Sequence, residues 1–203
     1  MFTLRLRRWL PFPEVGGLLQ RVWRALALLI ALLLPGAALQ AEGIELTTLN
    51  LVRSEEGLLL DYSTRFELPA AVEDALLKGV PLYFVAEAVV YRPRWYWRDK
   101  PVSRVVRNWR LSWQPLTRRY RLNLGSVSDY YDTVADALGA IQRASSWKLA
   151  SAAALSDDDG LYLEFNLRLD TAQLPRPLQI GFGGLADWEL RLDRSLKVPD
   201  ASP

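Results

Sequence analysis

Leu161-Tyr162-Leu163-Glu164-Phe165-Asn166-Leu167-Arg168-Leu169-Asp170 alternates apolar and polar side chains without a break. A period of two over ten residues suits an extended strand with one face in a core. Wound as a helix, the same residues would scatter Leu163, Phe165 and Leu167 around the circumference and leave no apolar stripe to bury. The period recurs where Leu58, Leu60, Tyr62, Thr64 and Phe66 alternate with Leu59, Asp61, Ser63 and Arg65. Further strands are predicted at Ile44 to Val52, Leu82 to Tyr91, Val102 to Trp113, Arg118 to Leu124 and Trp188 to Leu196. Two helices interrupt them. One opens with Pro69 in its first turn and stops at Gly79. The other begins near Thr133, whose spacing to Asp136 is a capping signal, and runs to about Arg143. Seven or so strands with short connections predict a mainly β chain. The expected fold is a single antiparallel β-sandwich-like domain with two short helices over residues 42–203, preceded by a signal peptide or N-terminal anchor over residues 1–41.

The first 41 residues stand apart in composition. Arg5, Arg7, Arg8, Arg21 and Arg24 precede the apolar run Ala25 to Leu34, followed by Pro35-Gly36 and the small residues Ala37, Ala38 and Ala41. Basic, apolar and small residues in that order form a secretory signal peptide. A spanning helix needs roughly 20 apolar residues, more than this run supplies before Pro35. The long basic region supports the alternative of an uncleaved anchor, holding the chain to the inner membrane through residues 22–39. Cleavage after Ala38 or after Ala41 would leave Gly36 or Leu39 at the minus-three site. Without residues 1–41, which hold five of the 25 basic and one of the 23 acidic residues, the rest carries 20 against 22 and a net charge of −2. The +2 of the whole chain is thus a property of the leader, and nucleic acid is not an expected partner. The expected location is the periplasm.

The chain has no cysteine and no histidine. That removes the Cys nucleophile, the His general base and the usual ligands of zinc, haem and iron-sulfur centres. No catalytic residue is singled out, and neither a metal nor a cofactor is expected.

The strongest compositional signal lies between Arg92 and Arg121, where ten basic residues face the single acid Asp99. Tyr91, Trp95, Tyr96, Trp97, Trp109, Trp113 and Tyr120 are interleaved with them. If Gln114-Pro115-Leu116-Thr117 is a four-residue hairpin turn, Leu111 lies opposite Tyr120 and Trp109 opposite Leu122, facing inward. The outer face then sets Arg110 opposite Arg121 and Ser112 opposite Arg119, with Arg104 further along. Like charges directly opposite one another repel, so this face wants an anionic companion. Either a ligand supplies it, or Glu87, Glu164 or a nearby Asp does so within the fold. Trp95 and Trp97 could stack on sugar rings or sit in a membrane interface. On the other reading the strand continues and both indoles close one end of the core. The candidate binding residues are Arg94, Trp95, Trp97, Arg104, Arg110, Arg119 and Arg121.

Weaker patterns dissolve on inspection. Ser156-Asp157-Asp158-Asp159-Gly160 has the look of a calcium loop, but an EF-hand turning at Gly160 needs acids where Leu155 and Asn166 stand, so a hairpin turn is predicted. Gly181-Phe182-Gly183-Gly184 lacks the Lys-Ser/Thr of a P-loop and reads as a turn. Glu87, alone among apolar residues, is expected to bridge to the arginine face.

Four motifs carry a resemblance: Gly79-Val80-Pro81-Leu82-Tyr83-Phe84-Val85, Arg92-Pro93-Arg94-Trp95-Tyr96-Trp97, Leu116-Thr117-Arg118-Arg119-Tyr120-Arg121 and Leu169-Asp170-Thr171-Ala172-Gln173-Leu174-Pro175. In these the chain resembles a proteobacterial family catalogued only as domain of unknown function 4390, over about Ile44 to Trp188. The resemblance implies an exported protein with no catalytic residues to carry over, and, from the neighbourhood of envelope-sensing histidine kinases, a signalling accessory. The function expected is a non-enzymatic binding or adaptor module whose basic aromatic face (residues 92–121) engages an anionic envelope component or a membrane sensor protein. Membrane contact comes through the N-terminal segment if it stays uncleaved. The alternative is a carboxylate-dependent enzyme acting on envelope glycans, with two carboxyl groups flanking a cleft. A purely structural envelope protein would have neither cleft nor charged patch.

Overall fold

Alternation along the chain becomes two faces in the computed structural model, which describes residues 43–155, 160–174 and 188–199. Among them nine strands form two antiparallel sheets. The smaller has the order β1 (Glu45–Ser54), β2 (Gly57–Arg65), β7 (Arg143–Ser151). The larger runs β6 (Val127–Tyr131), β5 (Arg119–Leu124), β4 (Lys100–Gln114), β3 (Leu82–Arg92), β8 (Tyr162–Leu169), β9 (Arg191–Lys197). Leu58, Leu60, Tyr62 and Thr64 of β2 are all buried, and Leu163, Phe165 and Leu167 of β8 are at most 1% exposed. The sheets meet through these faces, with the Tyr62 ring 5.0 Å from Phe165 and Phe66 5.7 Å from Phe84.

Six strands are wider than three, so part of the larger sheet's inner face needs another cover. Helix α1 (Ala70–Leu77) packs toward β4, and α2 (Val134–Ile141) packs on β5, β6 and β7. They bury Val72, Ala75 and Leu76, and Ala137, Leu138 and Ile141, in the same core as Leu111 and Leu122. Both helices lie where their capping signals predict. The Thr133 hydroxyl accepts from the Asp136 N–H at 3.1 Å. Gly79, at φ +92°, ends α1 while its N–H and that of Val80 return to the carbonyls of Leu76 and Ala75. The last carbonyls of α2 are satisfied from β2. Tyr62 donates its hydroxyl to the Ile141 carbonyl at 2.9 Å, and the Thr64 N–H reaches that of Gln142, also at 2.9 Å. A one-turn helix, α3 (Ala152–Leu155), follows β7 and buries Leu155.

Two strands lie where periodicity predicts none, and each has a reason. β6 is an edge strand, largely exposed, so it has no apolar face to betray it. β7 carries an irregularity: Ser146 has φ +51° and pairing with β2 shifts register beside it, so exposed Ser145 and Ser146 separate buried Ala144 and Trp147. That spacing erases a period of two. At the end of the chain, the strand expected from Trp188 begins at Arg191 instead, and buried Trp188 precedes it. The signal peptide or anchor expected over residues 1–41, and the stretches Asp157-Asp158-Asp159 and Gly181-Phe182-Gly183-Gly184 expected to turn, lie outside the described residues. Among the described residues, no helix is long and apolar enough to cross a membrane.

Candidate functional site

The β4–β5 hairpin carries most of the arginines. Its turn is Pro115-Leu116-Thr117-Arg118, one residue later than expected, and Gln114 pairs with Arg119. Pro115 donates no N–H to a ladder and fits the first turn position, while Arg118 adopts the left-handed conformation that closes the loop, at φ +51°. Moving the turn by one residue moves each partner by two, so the faces are kept but the pairs change. Trp109, Leu111, Tyr120 and Leu122 face the core as expected. On the outer face Arg110 lies opposite Asn123 and Ser112 opposite Arg121, so Arg110 and Arg121 are diagonal neighbours and not a directly opposed pair.

The acids near these arginines serve only some of them. Glu87 bonds Arg104 at 2.6 Å and lies 3.8 Å from Arg168, as the internal counter-charge reading expected for Arg104. Arg119 pairs with Asp132 at 2.8 Å. Arg110 and Arg121 lack such a partner: among the described residues neither lies within ion-pair distance of a carboxylate. The Arg110 guanidinium stands 6.0 Å from the Tyr83 ring centre. Arg121 donates to the Ser128 hydroxyl at 3.0 Å, lies 5.9 Å from the Tyr130 ring centre, and keeps a buried Nε–H without an acceptor. Arg107 points the other way, between the sheets, 4.6 Å from the Trp147 ring centre. Burial lowers its pKa and raises that of nearby Tyr62.

Among the described residues, two of the hollows lie on the larger sheet. One, of about 590 Å³, is lined by Glu87, Glu164 and Asp193 together with Arg168, Arg191 and Arg194, so its charges balance internally. Arg191 bonds Asp193 at 2.5 Å and, with Asn166, holds that carboxyl below its usual range. A guanidinium-paired carboxylate is ill suited to general acid catalysis, which wants a raised pKa. The other hollow, of about 330 Å³, is lined among others by Arg110, Asn108, Asn123, Tyr83, Gly125 and Gln173. Its lining holds hydrogen-bond donors and one full positive charge and no acid, and the Asp170 carboxylate beside it accepts from Gln173 at 2.7 Å. Ser128, beside it, accepts from both Asn123 and Arg121, which leaves its own proton free to donate. Asn108, Asn123, Ser128 and Gln173 escape sequence reasoning, because amides and hydroxyls on strand faces are commonplace until a fold brings four together.

Arg94, Trp95 and Trp97 are elsewhere. They belong to the loop over residues 93–99 joining β3 to β4, at the end of β4 away from the Pro115 turn. Ten residues of strand separate Lys100 from Arg110, roughly 30 Å, so no small ligand reaches both places. The indoles do not close the core: Trp95 is 95% exposed, Tyr96 65% and Trp97 73%. The strand does not continue through them because Asp99 folds the loop back. Its carboxylate accepts the Arg94 N–H at 3.0 Å and the Tyr162 hydroxyl at 2.6 Å, and Tyr162 stacks on Tyr91 at 5.4 Å. The Tyr162 bond, followed by that from Arg94, lowers the Asp99 pKa, and the same bond pushes Tyr162 up to about 12.

Comparison with curated proteins and with solved structures finds no match to this chain. The motifs of the resemblance fall at places the fold uses: the entry to β3, the loop over 93–99, the β4–β5 turn and the exit from β8. Beyond these motifs, the match to one family's profile continues past Trp188 to Leu196 in β9. Covering residues 41–196, it shows that the chain belongs to the family described as domain of unknown function, DUF4390.

Proposed function

We propose that the protein is a non-enzymatic binding module that takes an anionic group, a carboxylate or phosphate, in the hollow beside Arg110. The observation that carries this reading is the contrast between the two hollows. The larger one neutralises its own charges, whereas the smaller presents a guanidinium and neutral donors with no acid in its lining. Arg121 and Ser128 extend the donor set along the neighbouring strands, while Arg104 and Arg119 are occupied by Glu87 and Asp132. The order of residues 1–41 supports a setting outside the cytoplasm, where the anion belongs to an envelope component or to a membrane sensor kinase that the protein accompanies. Hydrolysis of envelope glycans, the second reading, has Glu87 and Glu164 in the larger hollow in its favour, but Glu87 is bound to Arg104.

The test replaces Arg110 and Arg121 with Gln together. No carboxylate is stranded, so the unfolding midpoint without added anion should stay unchanged or rise. Inorganic phosphate, compared with chloride at equal ionic strength, should raise the midpoint of the parent more than that of the double variant, which keeps only the general stabilisation by an excluded salt. If phosphate stabilises both equally, or if the variant unfolds markedly earlier without it, the arginines are structural and the reading falls.

A further inference from the structure

We infer that the loop over residues 93–99 is a membrane-docking tip that seats Trp95, Tyr96 and Trp97 in the headgroup region of a bilayer containing anionic lipid. This stands apart from the Arg110 hollow and would survive its failure. Three consecutive aromatic side chains, each at least 65% exposed, meet water at the end of a hairpin made by the two central strands of the larger sheet. Exposed clusters of large aromatic rings mark interaction sites, since water penalises them and folding gains nothing from them. Trp and Tyr are the side chains that prefer the interface between hydrocarbon and water, where a ring is buried while its N–H or O–H stays hydrated.

The surrounding charge selects the kind of surface. Arg94, Arg98 and Lys100 flank the rings, and the single acid of the loop, Asp99, is half-buried and engaged by the Arg94 N–H and the Tyr162 hydroxyl. What faces outward is therefore aromatic and cationic, the complement of an anionic headgroup layer. The same two hydrogen bonds hold the loop in shape before it meets a partner, so little order has to be imposed on docking. Trp95 has nearly its whole surface in water and so does not line a depression. Rings this exposed form a protrusion, suited to entering a soft layer.

The absence of cysteine makes the depth of the tip directly readable. One cysteine is introduced into the full chain as Tyr96→Cys and labelled with an environment-sensitive fluorophore. The same label at Leu116→Cys, fully exposed at the opposite end of β4, reports the dye's own affinity for lipid. With phosphatidylcholine vesicles containing phosphatidylglycerol, the label at 96 should shift to the blue and be quenched by a lipid-borne nitroxide. The label at 116 should do neither, so any adhesion through residues 1–41 is separated from insertion of the tip. Adding Trp95→Ala and Trp97→Ala to the 96-labelled chain should weaken the response by on the order of tenfold or more. Salt should weaken it too. A label at 96 that stays in water overturns the proposal, as does an equal response at 116. Insertion into vesicles lacking phosphatidylglycerol to the same extent overturns it as well. So does a blue shift produced by soluble dextran sulfate alone, which would make the rings a glycan platform.

Discussion

Asp99 and Tyr162 share one hydrogen bond, and each shifts the other's titration in the direction that preserves it. Because the Asp99 pKa is depressed in the folded chain, its contribution is complete above the ordinary carboxylate value of about 4 and is lost as pH falls through its lowered value. Tyr162 is raised, so its contribution is complete below about 10 and is lost as pH rises through about 12. The loop over 93–99 should thus keep its shape across neutral pH and loosen at both extremes. Spectrophotometric titration should find a phenol ionising at about 12 that disappears in Tyr162→Phe and moves back toward about 10 in Asp99→Asn. If Asp99→Asn leaves it in place, the hydrogen bond is not its cause. Gly57 shows a backbone constraint of another kind. It sits at φ +128°, and a Cβ there would lie 2.0 Å from the Ala150 carbonyl oxygen, so only glycine lets β2 and β7 approach at this point.

Strand β2 and helix α2 are tied by side chains that also belong to the core. Tyr62, 3% exposed, meets Phe165 with its ring and the last turn of α2 with its hydroxyl. Tyr62→Phe keeps the ring but leaves the Ile141 carbonyl buried without that donor, at a cost of about 1 to 3 kcal/mol. Thermal unfolding should therefore shift down by several degrees. An unchanged midpoint would mean that α2 finds another donor for its end. Hairpin β4–β5 works differently, because its turn sets which polar groups face one another while its apolar alternation sets only which way they face. The one-residue displacement of that turn places Arg110 beside Asn123, and the donor-lined hollow exists only in this register.

Taken over the whole molecule, charge is sorted by position. The larger sheet carries ion pairs around Glu87 and Asp193, a hollow around Arg110 with no acid in its lining and, at the far end of β4, a cationic aromatic tip. A leader that exports the chain would set these surfaces in the envelope, where anionic lipid and anionic polymers are at hand. Alkaline phosphatase fused after Pro203 should then be active, as it would be with either a cleaved signal peptide or an uncleaved anchor. A silent fusion beside a working cytoplasmic reporter would place the domain on the other side of the membrane.

Local chemistry was enough for much of this. Alternation at Leu58 to Phe66 and at Leu161 to Leu169 is a property of neighbours in the chain, so strand, facing and burial could be read directly. Pro69, Gly79 and Thr133 announced the two longer helices for the same reason, since caps act within a turn. The excess of cations between Arg92 and Arg121 was equally plain. Their division among roles was not, because Glu87 meets Arg104 and Arg168 only when β3 lies between β4 and β8. Asp132 meets Arg119 only when β6 pairs with β5. Nor could the chain alone tell that Trp95 and Trp97 leave the core, which depends on Asp99 reaching Tyr162, 63 residues away. Periodicity records which side of a strand faces oil; which charge meets which, and which ring is left in water, is settled by contacts between residues far apart in sequence.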